Sequence, residues 1–335
     1  MWTIELVCDF RESFPTATAN GEILFNDHPR RASVEEVCKT LVNQGYNCKI
    51  FGGVPELADA YSHRQTFPEK TLFVNMSDGL TQTYSRVQIP ILCDMLGVKY
   101  SGSGPFEVAL MTNKHYSKLA VSERGVLCPK GEVATVHNFL SILDAPWKYP
   151  VMTKPNTEGS SVGITQENVC FSCAELKTRL EALISQFPEI VVEEYIPGAD
   201  VTCFLLGNPE DYILNEVLLV EHHGKHFFER EVMEMDDHAH KRTSYVMANE
   251  VLSRQIIDQI KAQTLIAARA LNARDIIRID YRITTDGRIF FLEANTVPRV
   301  SVTSELGFIC EHQNLSYPTL LSNYIEAILR RINRG

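Results

Sequence analysis

Residues 278–295 read RIDYRITTDGRIFFLEAN. Two runs rich in Ile, Phe and Tyr flank Thr-Asp-Gly. Asp-Gly signals a tight hairpin, because a two-residue type I′ turn needs φ > 0 at both central positions. A turn centred on Asp286 and Gly287 pairs Ile283 with Phe290, Tyr281 with Leu292, Asp280 with Glu293, and Arg278 with Asn295. Side chains alternate along a strand. Ile279, Tyr281, Ile283, Phe290, Leu292 and Ala294 therefore form a core face, and Arg278, Asp280, Glu293 and Asn295 share the other. Directly opposed carboxylates destabilise a strand pair by roughly 0.2–1 kcal/mol. Two readings follow. The polar face is solvated, with Arg278 and Arg282 neutralising the acids, or a cation lies between Asp280 and Glu293. Two carboxylates and the Asn295 amide oxygen make an all-oxygen set, which suits Mg²⁺ better than zinc.

A chain of 335 residues, 44% apolar and 22% charged, can bury a substantial core in two or three domains. No apolar run reaches the ~18 residues of a membrane span, and MWTIELVCDF does not read as a signal peptide. The nine cysteines show no disulfide or zinc framework, so reduced thiols and a cytoplasmic location are expected. A formal net charge of −10 argues against nucleic acid as a partner.

The first hundred residues alternate between strand and helix. TIELVC, NCKIFGG and KTLFVNMS read as strands, and PELADAYSH and RVQIPILCDMLG as helices. SVEEVCKTLVNQG reads as a helix with Val34, Val37, Leu41 and Val42 at helical spacing, a Ser33–Glu36 capping box and Gly45 as its stop. Such alternation predicts a parallel sheet covered by helices. VALMTNKHYSKLAVSERG reads as one helix closed by Gly125. The strand YPVMTKP follows, then a helix capped by Ser172. IVVEEYI, VTCFLL and YILNEVLLV are strand-like. A charged loop over 221–245 and helices over 252–271 and near the end complete the chain.

Two further stretches carry chemistry. In VMTKPNTEGSSVGIT, residues 151–165, Lys154 ends a strand before a loop with Ser160, Ser161 and two glycines. Exposed N–H groups, hydroxyls and a lysine can wrap phosphate oxygens, although Gly/Ser loops are also common connectors. In VVEEYIPGADVTCFLL, residues 191–206, a strand end can offer backbone groups to an adenine edge, with Asp200 near a ribose. An ordinary hairpin with charged ends fits the same residues.

Taken in order, Lys114, the Lys154 loop, EEYIPGAD and RID…EAN resemble the ATP-grasp superfamily, specifically the D-alanine–D-alanine ligase group. The likeness runs from about residue 70 to the end. It implies an α/β chain, α+β in its ATP-grasp part: a Rossmann-like pre-ATP-grasp domain over 1–104, a central subdomain with the phosphate loop over 105–190, and a C-terminal subdomain with the metal hairpin over 191–335. It implies ATP as co-substrate and two Mg²⁺ ions, with Mn²⁺ able to substitute, held by Asp280, Glu293 and Asn295. Lys114 and Lys154 would touch the nucleotide. Ser160 and Ser161 would close over its phosphates. Glu193 would meet the adenine amino group, Tyr195 and Ile196 would read the ring through their backbone, and Asp200 would take the ribose. Arg278 would stabilise the transferring phosphoryl group, with Ser161 beside it. The expected reaction joins two small amino-acid-like substrates through an acyl phosphate. The expected molecule is a homodimer without membrane or nucleic-acid partners. A true D-alanine–D-alanine ligase and a non-catalytic ATP-binding paralogue are the alternatives.

The departures concern the substrates. The group's Gly-Gly-x-Ser-x-Glu segment is replaced by CDFRESFPTA, and its tyrosine-rich loop by EHHGKHFFEREVMEMDDHAHKRTSY. Where Asn-Thr-x-Pro-Gly is usual, Arg299 follows Pro298, while Ser304, matching a substrate-carboxylate residue, is kept. Arg299 reads equally as a substrate-carboxylate clamp or as a salt-bridge partner on the rim. The histidines at 222, 223, 226, 238 and 240 have zinc-like spacing but also suit a charged loop.

Overall fold

The computed structural model describes residues 2–14, 28–80, 83–209, 211–222, 224–232 and 243–334. The first sheet is parallel, in the order β2-β1-β3-β4, from β1 (Thr3–Val7), β2 (Asn47–Gly52), β3 (Thr71–Asn75) and β4 (Lys99–Tyr100). Its connecting helices are α1 (Arg31–Asn43), α2 (Val54–Ser62) and α3 (Gln88–Leu96). α1 begins two residues before Ser33, with Arg30 at its N-cap and no side-chain cap, so the expected capping box does not form. Val34, Val37 and Leu41 are buried, whereas Val42 is half exposed.

The helix expected through Lys114 is two helices, α4 (Pro105–Thr112) and α5 (Lys114–Ser122). Asn113 is extended between them, and its Oδ1 accepts from Tyr116 N at 2.9 Å. An asparagine that caps a new helix breaks the periodic run, because its side chain satisfies an amide the preceding helix cannot. The break puts Lys114 at the start of α5.

A second, antiparallel sheet has the order β5-β8-β6-β7, from β5 (Gly131–Ala134), β6 (Val151–Pro155), β7 (Val169–Cys170) and β8 (Ile190–Glu194). The helices α6 (Phe139–Leu143) and α7 (Cys173–Ile184) cover it, and α7 is capped by Ser172 as read. The third sheet is antiparallel, in the order β11-β10-β9-β12-β13. Its strands are β9 (Ala199–Asn208), β10 (Asp211–His222), β11 (Thr243–Met247), β12 (Ile276–Ile283) and β13 (Ile289–Asn295). The helix α8 (Arg254–Ala270) packs on it. Residues 243–247 thus form a strand where a loop to 245 was expected.

Sheet boundaries differ from the expected divisions. β8 pairs with β5 and β6, so the central sheet extends past residue 190 to Glu194. Met111, Val121 and Val126, from the α4–α5 segment, share the core of the third sheet. Near the end, α9 (Glu305–His312) and α10 (Tyr317–Arg334) join a core containing Ile4, Leu6 and Val37 on one side and Phe204, Leu206 and Leu218 on the other.

Candidate active site

The β12–β13 hairpin departs from the expected turn yet keeps its key pair. Ile283 faces Ile289, Arg282 faces Phe290, and Tyr281 faces Phe291. Thr284 N donates to Arg288 O at 3.0 Å across a three-residue loop in which Gly287, at φ +82°, holds the left-handed position. A bulge between Asp280 and Tyr281 then restores the count, and Asp280 faces Glu293 while Arg278 faces Asn295. The core side carries Ile289 and Phe291, not the expected Phe290 and Leu292.

A cleft of about 1260 Å³ lies among the three sheets, and every anticipated site residue lines it. Lys114, Lys154, Ser160, Ser161, Glu193, Tyr195, Ile196 and Asp200 line it together with Arg278, Asp280, Glu293 and Asn295. Arg299, which is exposed, and Ser304 line it too.

The charges around Asp280 and Glu293 are densely paired. Lys114 Nζ lies 3.2 Å from Glu293 Oε2 and donates to the Glu158 carbonyl. Arg278 contacts Asp280 at 3.1 Å and Glu305 at 3.0 Å. Asp280 also accepts from Thr202 Oγ1 at 2.6 Å and from Asn295 Nδ2 at 2.9 Å. The Asn295 Nδ2 contact leaves the amide oxygen of that side chain as a further donor for a cation. Burial pushes both opposed carboxyls up. Lys114 and Lys154 overcome it at Glu293 and bring that group to about 2. At Asp280 burial wins despite Arg278, and the charge of Glu293 adds to it, so its pKa is raised. Burial likewise opposes ionisation of Glu305, but Arg278 holds it below the usual range. An all-oxygen set in which burial and a neighbouring acid drive one carboxyl toward neutrality fits a hard divalent cation.

Two anticipated ligand residues are engaged by partners the sequence reading missed. Glu193 is buried between Lys154, at 3.0 Å, and Lys118. Burial favours its neutral form, but the two lysines hold it below the usual range. Lys118 lies one helical turn after Lys114, a spacing that could have found it. Asp200 is 2.6 Å from Arg282. Arg282 also donates to Ile196 O at 2.9 Å and Tyr195 OH at 3.0 Å. It therefore neutralises Asp200 across the β9–β12 pairing, not Asp280 along its own strand.

The phosphate-loop candidate has an uncommon backbone. Ser160 and Ser161 both hold positive φ, +48° and +57°, followed by Gly163 at +72°. Consecutive left-handed non-glycine residues store strain. Ser304 caps no backbone amide of α9; its hydroxyl donates to Arg299 O at 3.0 Å and Ser301 O at 2.6 Å, fixing that turn. Of the histidines, His226 lies 3.7 Å from Glu221 and His222 is buried against Phe228. Positions 223, 238 and 240 lie outside the described residues. Among the described residues, no cluster of three His, Cys, Asp or Glu side chains is arranged to hold a metal, and no helix is long and apolar enough to cross a membrane.

The family model described as "D-ala D-ala ligase C-terminus" matches residues 117–326. The chain belongs to the D-alanine–D-alanine ligase family. It is 31% identical to a D-alanine–D-alanine ligase of Nitratidesulfovibrio vulgaris over 267 residues, covering 76% of this chain and 78% of the relative. A Bifidobacterium longum relative of the same name is 28% identical over 254 residues, covering 71% of this chain; the chain spans 58% of that relative's length. Among solved structures, the VanG D-Ala:D-Ser ligase of Enterococcus faecalis superposes with a TM-score of 0.72 at 18% identity, covering 98% of this chain and 99% of that one. The ATP complex of a Bacillus anthracis D-alanine–D-alanine ligase gives 0.70 at 18% identity, with both chains fully covered. The fold is therefore the ATP-grasp fold of these ligases, mixed helix and sheet with an N-terminal parallel sheet.

Proposed function

We propose that the chain is an ATP-dependent carboxylate–amine ligase for two small amino-acid-like substrates. The observation that carries the reading is the opposed Asp280–Glu293 pair in one cleft with Lys114 and Lys154. A carboxylate does not react with an amine in water, because oxide would have to leave. In the proposed reaction a carboxylate oxygen attacks the γ-phosphorus of ATP, and the bond from that phosphorus to the bridging oxygen breaks, releasing ADP. The amine of the second substrate then attacks the acyl phosphate, phosphate departs, and the amine proton passes to solvent. Phosphoryl transfer needs positioning and charge neutralisation more than covalent help. Asp280, Glu293 and Asn295 would hold two Mg²⁺ ions, or Mn²⁺ in their place, which when bound neutralise charge on the phosphates.

The protein's own groups supply the rest. Lys114 and Lys154 meet phosphate oxygens, exchanging their present carboxylate partners for the ligand. Arg278, held by Asp280 and Glu305, presents a fixed fork to the transferring group. Ser160, Ser161 and the glycines around them close over the phosphates and keep water from the acyl phosphate. The backbone at Tyr195 and Ile196, anchored by Arg282, reads the adenine edge. A homodimer belongs to the same reading. D-alanine as both substrates is a second reading, favoured by the names of the relatives. Arg299 opposes it, since it puts a charged side chain where the group usually has glycine. The test is ADP release over a panel of amino-acid pairs, with mass spectrometry of the products. An amide product formed with stoichiometric ADP supports the ligase. ATP binding with no pair-dependent ADP release would leave the non-catalytic paralogue.

A further inference from the structure

The first four N–H groups of an α-helix find no partner in its own turns. In α5 each of them is closed, and not all from nearby. Asn113 N donates to Ala109 O of α4 at 3.1 Å, and Tyr116 N to Asn113 Oδ1 at 2.9 Å. The other two cross to a different part of the chain. Lys114 N donates to the Asn156 carbonyl at 3.0 Å, and His115 N donates to Asn156 Oδ1 at 3.1 Å. Asn156 is buried, directly after β6 and two places beyond Lys154. A cap of this kind fixes one segment against the other, because breaking it leaves buried amides unpaired.

Glu189, just before β8, holds Asn156 from the other side. Asn156 N donates to the Glu189 carbonyl at 3.0 Å, and Asn156 Nδ2 to Glu189 Oε2 at 2.7 Å. All four polar groups of the asparagine are therefore engaged. Its amide has one fitting orientation, since a flip would set donor against donor and acceptor against acceptor. Beyond it Thr157 is still buried, and the chain then rises into the loop. The Glu158 carbonyl accepts from Lys114 Nζ, and the left-handed Ser160 and Ser161 follow.

We propose that Asn156 is a positioning residue for the phosphate contacts. It joins the start of α5, the root of the loop and Glu189 into one unit, so that Lys114, Lys154, Ser160 and Ser161 meet the nucleotide phosphates as a set. The proposal deepens the ligase reading and rests on it for the identity of the ligand. Lys114 and Lys154 come from different elements, and their present carboxylate partners, Glu293 and Glu193, are ones a phosphate would replace. Asn156 does not line the cleft, so its bonds persist when the ligand enters.

The test reverses the side-chain pair. Asn156→Asp keeps the acceptor for His115 N but sets two carboxylates together at Glu189. Adding Glu189→Gln to it restores one donor and one acceptor in the opposite order. The full chain is titrated calorimetrically with ADP and with AMP-PNP, each with Mg²⁺. Asn156→Asp should bind AMP-PNP roughly tenfold more weakly than wild type, and the double variant should recover most of that loss. Asn156→Ala, which removes both side-chain bonds without adding charge, should weaken AMP-PNP as well and serves if Asn156→Asp does not fold. ADP release over amino-acid pairs should show a raised KM for ATP without a comparable fall in kcat. Nucleotide binding that follows this pattern with no ADP release from any pair would sustain the proposal and remove the ligase reading. Lowered stability with AMP-PNP affinity unchanged in the folded variants would show a structural role only and overturn the proposal. So would a double variant that recovers nothing. Wild-type protein that binds neither nucleotide would remove the proposal and the ligase reading together.

Discussion

Two regions of the cleft handle charge differently. Around Lys114 and Lys154 each buried charge has an opposite partner: Glu193 lies between Lys118 and Lys154, Glu293 meets Lys114, and Asp200 meets Arg282. Elsewhere along the cleft Arg30 and Arg299 are exposed and Arg11 is half-buried, and the charge of Arg299 acts on Glu305. Buried charges must be neutralised before any ligand arrives, because an unpaired one costs several kcal/mol. Exposed arginines keep their water and depend less on a partner. A ligand that reached Lys114 or Lys154 would have to exchange partners with their carboxylates.

The contrast can be broken by removing charge in each region. Glu193→Gln should have the largest effect, about 3–5 kcal/mol of stability, because it leaves Lys118 and Lys154 facing each other in the interior. Chemical denaturation at neutral pH measures it. Glu193 titrates below its unfolded value, so its contribution is complete above the unfolded carboxylate range near pH ~4.3 and is lost as pH falls through the lowered folded value. The wild-type advantage over Glu193→Gln should accordingly shrink under acid; an advantage constant down to the acid limb would mean that the lysines do not depend on it.

Glu293→Gln should next reduce ligation by roughly 10²–10³-fold, the scale of removing one electrostatic stabiliser. Stability changes less, since relief of Asp280 offsets loss of the Lys114 pair. Steady-state ADP release at saturating ATP reads the loss, and wild-type turnover in folded, pure variant would sink the proposed role. Asn113→Ala should cost about 1 kcal/mol, the value of an N-cap. It should also raise the KM for ATP by loosening the placement of Lys114, without a comparable fall in kcat. The smallest effect belongs to Arg30→Gln. Its removal should leave stability within about 0.5 kcal/mol of wild type. A large loss on urea titration would show that Arg30 is held by a charge inside the protein, like the residues around Lys154, and the contrast would fail.

What could be read from the chain depended on range. The alternation of the first hundred residues is local, and so is the apolar patterning, so the parallel sheet was legible. The Asp280–Glu293 pairing was legible for an accidental reason: a three-residue loop and a bulge each displaced the count by one, in opposite senses. Arg282 was misread because its partner Asp200 is set by the register between β9 and β12, which no local pattern encodes. Lys118 was overlooked although its spacing from Lys114 was visible. The break at Asn113 was missed because the helical periodicity passes through it. Least legible was that Arg11, Arg30 and Arg299 line one cleft, since their segments lie far apart in the chain.

The last helix also has a consequence for the order of synthesis. Arg331, in α10, donates to Asp275 at 2.7 Å and to the Tyr100 carbonyl at 2.9 Å. Asp275 is fully buried and accepts from Gly102 N at 2.7 Å and Asn208 Nδ2 at 2.8 Å. One carboxylate thus joins the end of the first sheet, the third sheet and the C-terminal helix, while Tyr324 and Ile328 fill the core between those sheets. Domains of many proteins complete their folding one after another as they leave the ribosome. Here Ile4, Leu6 and Val37 have part of their core supplied by a helix translated much later. A nascent chain halted before Tyr317 would carry Ile4, Leu6 and Val37 without their covering helix, and a chaperone would find them in water.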